Sequence, residues 1–478
     1  MSKEVVVMGG GVGGLSAAIY ARLAGHNVLL LEASDSVGGK ASEIKIGGYR
    51  LDPGPSIIIL PRVYRQLFQD ANRELDDYLR FQRLDPISRV YSDGREPLDL
   101  PADREKCEAL VDRVNPEDGK NFRRMMSQLD KVMPLVDRSI FAHPIDNPMQ
   151  LLNRNLLQMG LNLDVRQPYK GLVDSWFQSP LLRAFFYGFP SYGGQTYDSK
   201  APGALLIPYL MIQEGVYYPE GGVSAIPKAM CKLALELGVE ILTNKKVNRL
   251  ESKGKSVASA TLEDGTKVEA EVFISGVDRL TTRSWLDHPS DLSPSFSYFT
   301  VHWGVRRKLK GLKHHTLLIP KGFESGLESL YRQRKFPNPP IVYLNETSAI
   351  DASAAPAGCS NLFAVVTSPA MEEHLDWARE AARAKAAVLD VMSQYGFTLS
   401  ESELDFERIQ TPPYFEKQHG SYRGSLYGPD ERHRLFGMFP LRNRDEQYRN
   451  LLYAGGSVQP GAGLPMVTLS GKFAAAKI

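Results

Sequence analysis

The chain has 478 residues, 43% hydrophobic and 23% charged, with 57 Lys and Arg against 55 Asp and Glu. That length bears about three domain-sized units, and a net charge of +2 supplies none of the field a nucleic-acid partner needs. Three scattered cysteines, Cys107, Cys231 and Cys359, form neither a disulfide framework nor a ligand cluster, so no metal is expected and a reducing compartment fits.

In chain order, the apolar run Val5 to Met8 predicts a strand that runs into Gly9-x-Gly11-x-x-Gly14. An Ala-rich amphipathic segment, Leu15 to Ala24, predicts a helix, and Val28 to Leu31 a second strand ending on Glu32. Strand, glycine turn, helix, strand and acid is the order of a dinucleotide-binding βαβ unit. Gly9 permits the tight turn, Gly11 lets backbone approach a pyrophosphate, and Gly14 lets the helix lie close to the strand. With Gly13 they open a helix whose free N–H groups and positive dipole end suit phosphates. Glu32 stands 18 residues after Gly14, placed for ribose hydroxyls, and its charge disfavours the 2′-phosphate of NADP. NAD and FAD remain. Gly38-Gly39-Lys40 then brings a cation back towards the phosphates.

Residues 61–145 read as polar helices, notably Val63 to Leu79 and Arg104 to Val136. Between 146 and 215 the chain turns apolar: Leu151, Leu152, Leu156, Leu157, Met159, Leu161 and Leu163 recur at helical spacing. The glycine- and aromatic-rich segment Tyr187 to Tyr197 suits the wall of an apolar pocket. A helix follows through Ala229 to Leu237, closed by Gly238 as a C′ glycine, then a strand at Val239 to Leu242. Val257 to Leu262 and Val268 to Phe273, around Asp264-Gly265, read as a hairpin. Further strands are expected at Ser297 to Val305, Ile341 to Leu344 and Phe363 to Val366, and a helix at Asp376 to Tyr395. Near the end an apolar strand, Leu451 to Tyr453, runs into Gly455, Gly456, Ser457, Gly461 and Gly463. A helix opens at Pro465 and Met466 and is expected to continue beyond Ile478. The N-terminus does not read as a signal peptide, and no stretch reaches the roughly 18 apolar residues of a membrane span.

These motifs resemble the flavin-dependent amine oxidase superfamily, and within it the bacterial-type phytoene (carotenoid) desaturases. The resemblance rests on the glycine loop with Glu32, on Gly38-Gly39-Lys40-Ala41 and on Leu51-Asp52-Pro53-Gly54-Pro55-Ser56. It also rests on Tyr218-Pro219-Glu220-Gly221-Gly222 and on the ending Pro460-Gly461-Ala462-Gly463-Leu464-Pro465. It implies FAD, with Gly54, Pro55 and Ser56 near the isoalloxazine ring, Val247 meeting the adenine through its backbone, and the C-terminal glycines holding flavin oxygens or pyrophosphate. The implied fold class is α/β. A Rossmann-like FAD-binding domain is assembled from 1–80, 220–285 and 445–478, with an inserted α+β substrate domain from 81–219 and 286–444. The latter carries an apolar, membrane-associating helical lobe around 146–215.

The implied activity introduces conjugated C=C bonds into a polyene such as phytoene, a C30 analogue or a hydroxycarotenoid. A hydride leaves an allylic carbon for the flavin and a proton leaves its neighbour. The alternatives on this scaffold are a polyene cis–trans isomerase, an amine oxidase with Tyr427 in an aromatic cage, and a non-catalytic lipid-escort protein. The intact glycine loop weighs against the last. Many family members carry Thr-His or an acid where this chain has Ser457-Val458-Gln459; Gln459 is expected to donate to a flavin carbonyl instead. No catalytic base is assigned among His302, His314, His315, Arg154 and Arg166, and the electron acceptor, oxygen or quinone, is open. The implied substrate is an apolar isoprenoid taken from lipid. The expected protein is cytoplasmic and peripheral on the cytoplasmic membrane, attached through 151–163 or through the basic, Leu-bearing segment Arg306 to Lys313.

Overall fold

The computed structural model describes residues 1–92, 94–163, 167–433 and 439–478. Its first layer is a five-stranded parallel sheet in the order Leu451–Tyr453, Val272–Ser275, Glu4–Met8, Asn27–Leu31, Glu240–Leu242. These strands are short apolar runs because both faces are covered. Side chains alternate along each strand. Val5, Val7, Leu30 and Ile274 meet helices that include Val12–Leu23 and Ala225–Glu236. Val6, Met8, Leu31, Phe273 and Tyr453 meet Leu250, Val257, Ala260 and Leu262 of a three-stranded antiparallel sheet, Val247–Lys253, Ser256–Leu262 and Lys267–Glu269.

The expected hairpin is therefore divided. Lys267–Glu269 alone completes it, pairing Val268 with Ala260. Val272–Ser275 instead lies parallel between Glu4–Met8 and Leu451–Tyr453, with Val7 opposite Ile274. In that position its side chains are buried on both faces, which a half-exposed hairpin strand does not offer.

The second layer is a seven-stranded sheet in the order Leu404–Gln410, Phe296–Val305, Ser360–Pro369, Val342–Asn345, His315–Ile319, Ser88–Ser92, Leu98–Leu100. One face buries Val301, Trp303, Leu344 and Ala364 against Val388 and Met392 of the helix Trp377–Gln394. Residues 61–145 are thus not wholly helical. Helices Pro61–Asp70, Arg104–Val114 and Pro116–Arg138 form, but Ser88–Ser92 and Leu98–Leu100 join the sheet. Each of those strands has only two apolar residues, too few to show an alternation of its own. The helices Arg154–Leu163, Tyr169–Trp176, Pro180–Tyr187 and Leu206–Gln213 belong to the largest apolar cluster, which also takes in Phe296 and Ile319 of the sheet. The last helix, Leu464–Ala475, does not run to the end of the chain. The Ile478 amide donates to the Ala475 carbonyl, and Lys3 Nζ donates to the Ile478 carbonyl at 2.6 Å.

Burial leaves several histidines neutral. His302 is fully buried and stacked on Phe363 with centroids 4.2 Å apart. Loss of hydration lowers its pKa to about 3, and likewise lowers His314 to about 4 and His419 to about 3. In the unfolded chain these groups titrate near about 6.5. Between the two values the unfolded state binds more protons, so stability rises with pH across that window and is lost as pH falls below about 6.5. Asp52, raised to about 6 by burial, opposes this by one proton. The melting temperature should fall as pH is lowered from about 7 to about 5. His302→Phe should remove one proton's share of that dependence, about 1.4 kcal/mol per pH unit. An equal pH slope in wild type and variant would contradict this.

Candidate active site

The parallel strands Glu4–Met8, Asn27–Leu31, Val272–Ser275 and Leu451–Tyr453 all end at one wall of a cavity of about 1440 Å³, lined there by Met8, Gly9, Leu31, Glu32, Gly276 and Gly455. The carboxyl ends of parallel strands are where an open α/β sheet binds ligands. Gly9 takes φ 98°, a left-handed conformation that favours glycine. Gly14 does not line the cavity. A Cβ there would collide with the Gly9 carbonyl, so its part is to let the helix close on the turn. Gly11 differs: a Cβ would meet nothing within 4 Å, because it would point into open cavity. Gly13 lines the cavity and lies against the Gly455 backbone.

The helix Val12–Leu23 has no side-chain cap and no acid in its first turn. The same holds for Leu464–Ala475, preceded by Gly463. Both N-termini face the cavity, through Gly11, Val12 and Gly13 and through Gly463, Leu464, Pro465 and Met466. Free N–H groups at two helix starts form a site for an anionic group. Glu32 also lines the cavity, with its oxygens accepting from Gly10 N–H at 2.6 Å and Ser34 N–H at 2.8 Å. It therefore braces the glycine turn as well as presenting a carboxylate, a second role with no sign in the motif.

Gly39, Lys40, Gly54, Pro55, Ser56 and Val247 also line the cavity, as do Gly455, Gly456, Ser457 and Gly461. Burial lowers the Lys40 pKa, and the Asp278 carboxylate opposes the shift. Ser457 Oγ accepts from Arg279 N–H at 3.1 Å. Beneath the Gly54 loop, Asp52 accepts from Val223 N–H at 2.9 Å, and Arg50 donates to Asp351 at 2.6 Å and to Tyr218 Oη at 2.7 Å. This buried network ties the Asp52–Ser56 motif to the Tyr218–Gly222 motif.

Gln459 does not reach the cavity. Its Oε1 accepts from Ile145 N–H at 2.6 Å and its Nε2 donates to the Ile145 carbonyl at 2.8 Å, so both ends of the amide are held by backbone. His302, His314 and His315 lie outside the lining, Arg154 is on the surface, and Arg166 lies outside the described residues. The basic segment offers lipid no apolar face. Leu309 and Leu312 are buried in the core, while Arg306 pairs with Asp405 at 3.3 Å and Arg307 with Glu403 at 2.7 Å.

The far wall is the free face of the seven-stranded sheet. Thr300, Val365, Tyr343 and Leu317 stand side by side on four adjacent strands and all line the cavity. Tyr298 and Phe363 extend this face, and Phe189, Tyr192, Leu206 and Leu210 approach from the helical layer. Tyr427 is present too, with its hydroxyl 2.6 Å from that of Tyr298. The segment Pro412–His419 adds Tyr414, Phe415 and His419. Single aromatic residues two apart on separate strands leave no contiguous motif, so most of this wall was not legible in advance. The exception is the Tyr187–Tyr197 stretch.

Residues 12–478 match the family of flavin containing amine oxidoreductases. The chain belongs to that family. It is a flavoprotein oxidoreductase whose cofactor is FAD, and the cavity fits such a group: two uncapped helix starts for phosphates, a carboxylate for hydroxyls and open space above Gly11. The chain is 28% identical over 492 residues to a 4,4'-diaponeurosporene oxygenase of Staphylococcus aureus, covering 100% of this chain and 98% of that one. An oxidoreductase from Methanosarcina mazei shares the fold with a TM-score of 0.63 at 15% identity, covering 98% of both chains. Putrescine oxidase bound to putrescine does so with a TM-score of 0.62 at 16% identity, covering 100% and 98%.

Two substitutions separate ligand contact from turn geometry. Gly11→Val should abolish FAD binding and leave the melting temperature of the FAD-free protein nearly unchanged, because the side chain enters empty space. Glu32→Gln replaces one accepting oxygen with an amide donor, and titration should show FAD affinity lowered by roughly ten- to a hundredfold. FAD bound at wild-type affinity by Gly11→Val would place the cofactor elsewhere.

Proposed function

We propose that this flavoprotein oxidises an apolar polyene of the carotenoid type, drawn from a membrane surface. The observation that carries the reading is the continuity of the cavity: one space joins the glycine loop and helix starts to a wall of tyrosine, phenylalanine, leucine and valine. In this reading Gly9, Gly11, Gly13, Glu32, Gly39, Lys40, Val247, Gly455 to Ser457, Gly461, Gly463, Pro465 and Met466 hold FAD on the parallel-sheet unit, 1–80, 220–285 and 445–478. Residues 81–219 and 286–444 shape the polyene channel. FAD supplies the two-electron oxidant. The chain's own part is to hold a stiff apolar substrate straight, exclude water and place one end by the Gly54–Ser56 loop. Putrescine oxidase shares the fold, but the far wall here suits a hydrocarbon rather than a cation.

Two outcomes of the chemistry remain within this reading: a new C=C bond, which the sequence motifs favour, and oxygenation of the chain, which the Staphylococcus relative's activity favours. Mass spectrometry of the product from a C30 or C40 polyene in vesicles separates them. Desaturation removes two hydrogens per new bond and lengthens the chromophore, whereas oxygenation passes a hydride to FAD and takes its oxygen from water with release of a proton. A protein that leaves every polyene unchanged and oxidises only amines would overturn the proposal.

The membrane contact proposed is the helical lobe. Among the described residues no helix is long and apolar enough to cross a membrane. Met149, Leu152, Leu157 and Leu161 are nevertheless 73%, 63%, 51% and 85% exposed, and Arg154 is the one charge between residues 147 and 163. Clustered exposed apolar side chains mark an interaction surface. Leu157→Glu with Leu161→Glu, both at exposed positions, should leave FAD content unchanged and remove the protein from sedimented liposomes. Undiminished co-sedimentation would assign the contact to another surface.

A further inference from the structure

The Ser56 hydroxyl stands on the cavity wall at the outer end of a hydrogen-bonded chain that enters the seven-stranded sheet. Ser56 Oγ lies 2.8 Å from Tyr343 Oη, which lies 2.6 Å from Nδ1 of His315. Tyr343 lines the cavity, while His315 is 2% exposed. The direction of the chain follows from its buried end. Burial and the neighbouring His314 hold His315 neutral, with a pKa well below the usual value, so its ring carries one N–H and one lone pair. Nε2 has no hydrogen-bond partner among the described residues.

A proton on Nε2 would be a buried N–H without an acceptor, which costs more than a buried lone pair without a donor. The proton therefore belongs on Nδ1, and His315 donates to Tyr343 Oη. Asn345 Nδ2 donates to the His314 carbonyl at 2.9 Å and lies 3.5 Å from both Tyr343 Oη and His315 Nδ1, so the 2.6 Å contact between His315 and Tyr343 sets the direction. Accepting from His315, Tyr343 donates its own proton to Ser56 Oγ, and the Ser56 hydrogen is left to point into the cavity. In the hydroxyl pair on the same apolar wall, Tyr427 donates to Tyr298 Oη at 2.6 Å.

We propose that Ser56 presents a fixed hydrogen-bond donor to an acceptor oxygen inside the cavity, with Tyr343 and His315 as positioning residues that set its direction. This rests on the reading that FAD and a polyene share the space. The acceptor is a carbonyl of the flavin ring or an oxygen carried by the polyene; either asks for the same donor.

The test uses the holoenzyme and Ser56→Ala, Tyr343→Phe, His315→Leu and His315→Gln. Two quantities are read: the absorption spectrum and midpoint potential of bound FAD without polyene, and the Kd in detergent for a C30 polyene hydrocarbon and for the same chain ending in an aldehyde. The first three variants should change together. His315→Gln, whose amide still donates to Tyr343, should resemble wild type. If the flavin is the acceptor, its spectrum and potential shift in the three variants. If the polyene oxygen is the acceptor, the flavin is unchanged, and affinity for the aldehyde falls about tenfold while that for the hydrocarbon holds.

An unaltered flavin together with equal effects on both polyenes, or none, would overturn the proposal. Should Tyr343→Phe lose its FAD, Ser56→Ala, altered only at the cavity surface, decides the matter by the same criteria. A wild-type protein that binds neither polyene counts against the polyene reading, and the flavin measurements then decide this one.

Discussion

Two helix starts without capping side chains, both aimed into one cavity, are the constraint around which the rest of the structure is arranged. A helix end with unpaired N–H groups in a confined space is costly unless water or a ligand satisfies them. Here the first helix follows Gly11 and the last follows Gly463, more than 400 residues later in the chain. Bringing them together requires strands from opposite ends of the sequence to lie side by side. The parallel sheet does this by placing Val272–Ser275 between Glu4–Met8 and Leu451–Tyr453. Glu32 adds a brace by holding the Gly10 and Ser34 amides.

Given that arrangement, the seven-stranded sheet and the helices beside it build the opposite wall. The seven-stranded sheet buries one face on the helix Trp377–Gln394 and turns the other to the cavity. Alternation along each strand then separates two environments. Val301, Trp303 and Leu344 go to the core, while Tyr298, Thr300 and Tyr343 go to the cavity. Asn361 of the strand Ser360–Pro369 donates to the Arg50 carbonyl at 2.8 Å, and Arg50, Asp52, Tyr218 and Asp351 tie the segment leading to Gly54–Ser56 to Val223 through charge-assisted hydrogen bonds.

Much of the dinucleotide half was legible because its chemistry is local. Gly9, Gly11, Gly14 and Glu32 lie within one βαβ unit, and the glycines after Tyr453 follow a strand directly. The cavity's far wall was not, because Tyr298, Tyr343 and Phe363 are neighbours only through pairing between strands distant in sequence. The role of Gln459 is hidden for the same reason. A polar side chain beside a glycine-rich turn looks free to meet a ligand, and only the tertiary fold reveals Ile145 as its partner. The leucines at 309 and 312 were likewise read as a lipid face, because their burial beneath the sheet leaves no trace in the local pattern. Val268 to Phe273 reads as one strand, but the parallel sheet claims its second half.

A cavity that brings FAD and an apolar polyene together must let the polyene reduce the flavin. Anaerobic stopped-flow mixing of the FAD-loaded protein with polyene-bearing vesicles tests it most directly. The polyene should bleach the oxidised flavin absorbance, at a rate that rises with polyene content. Flavin that stays oxidised with polyene and is reduced by a diamine such as putrescine would contradict it.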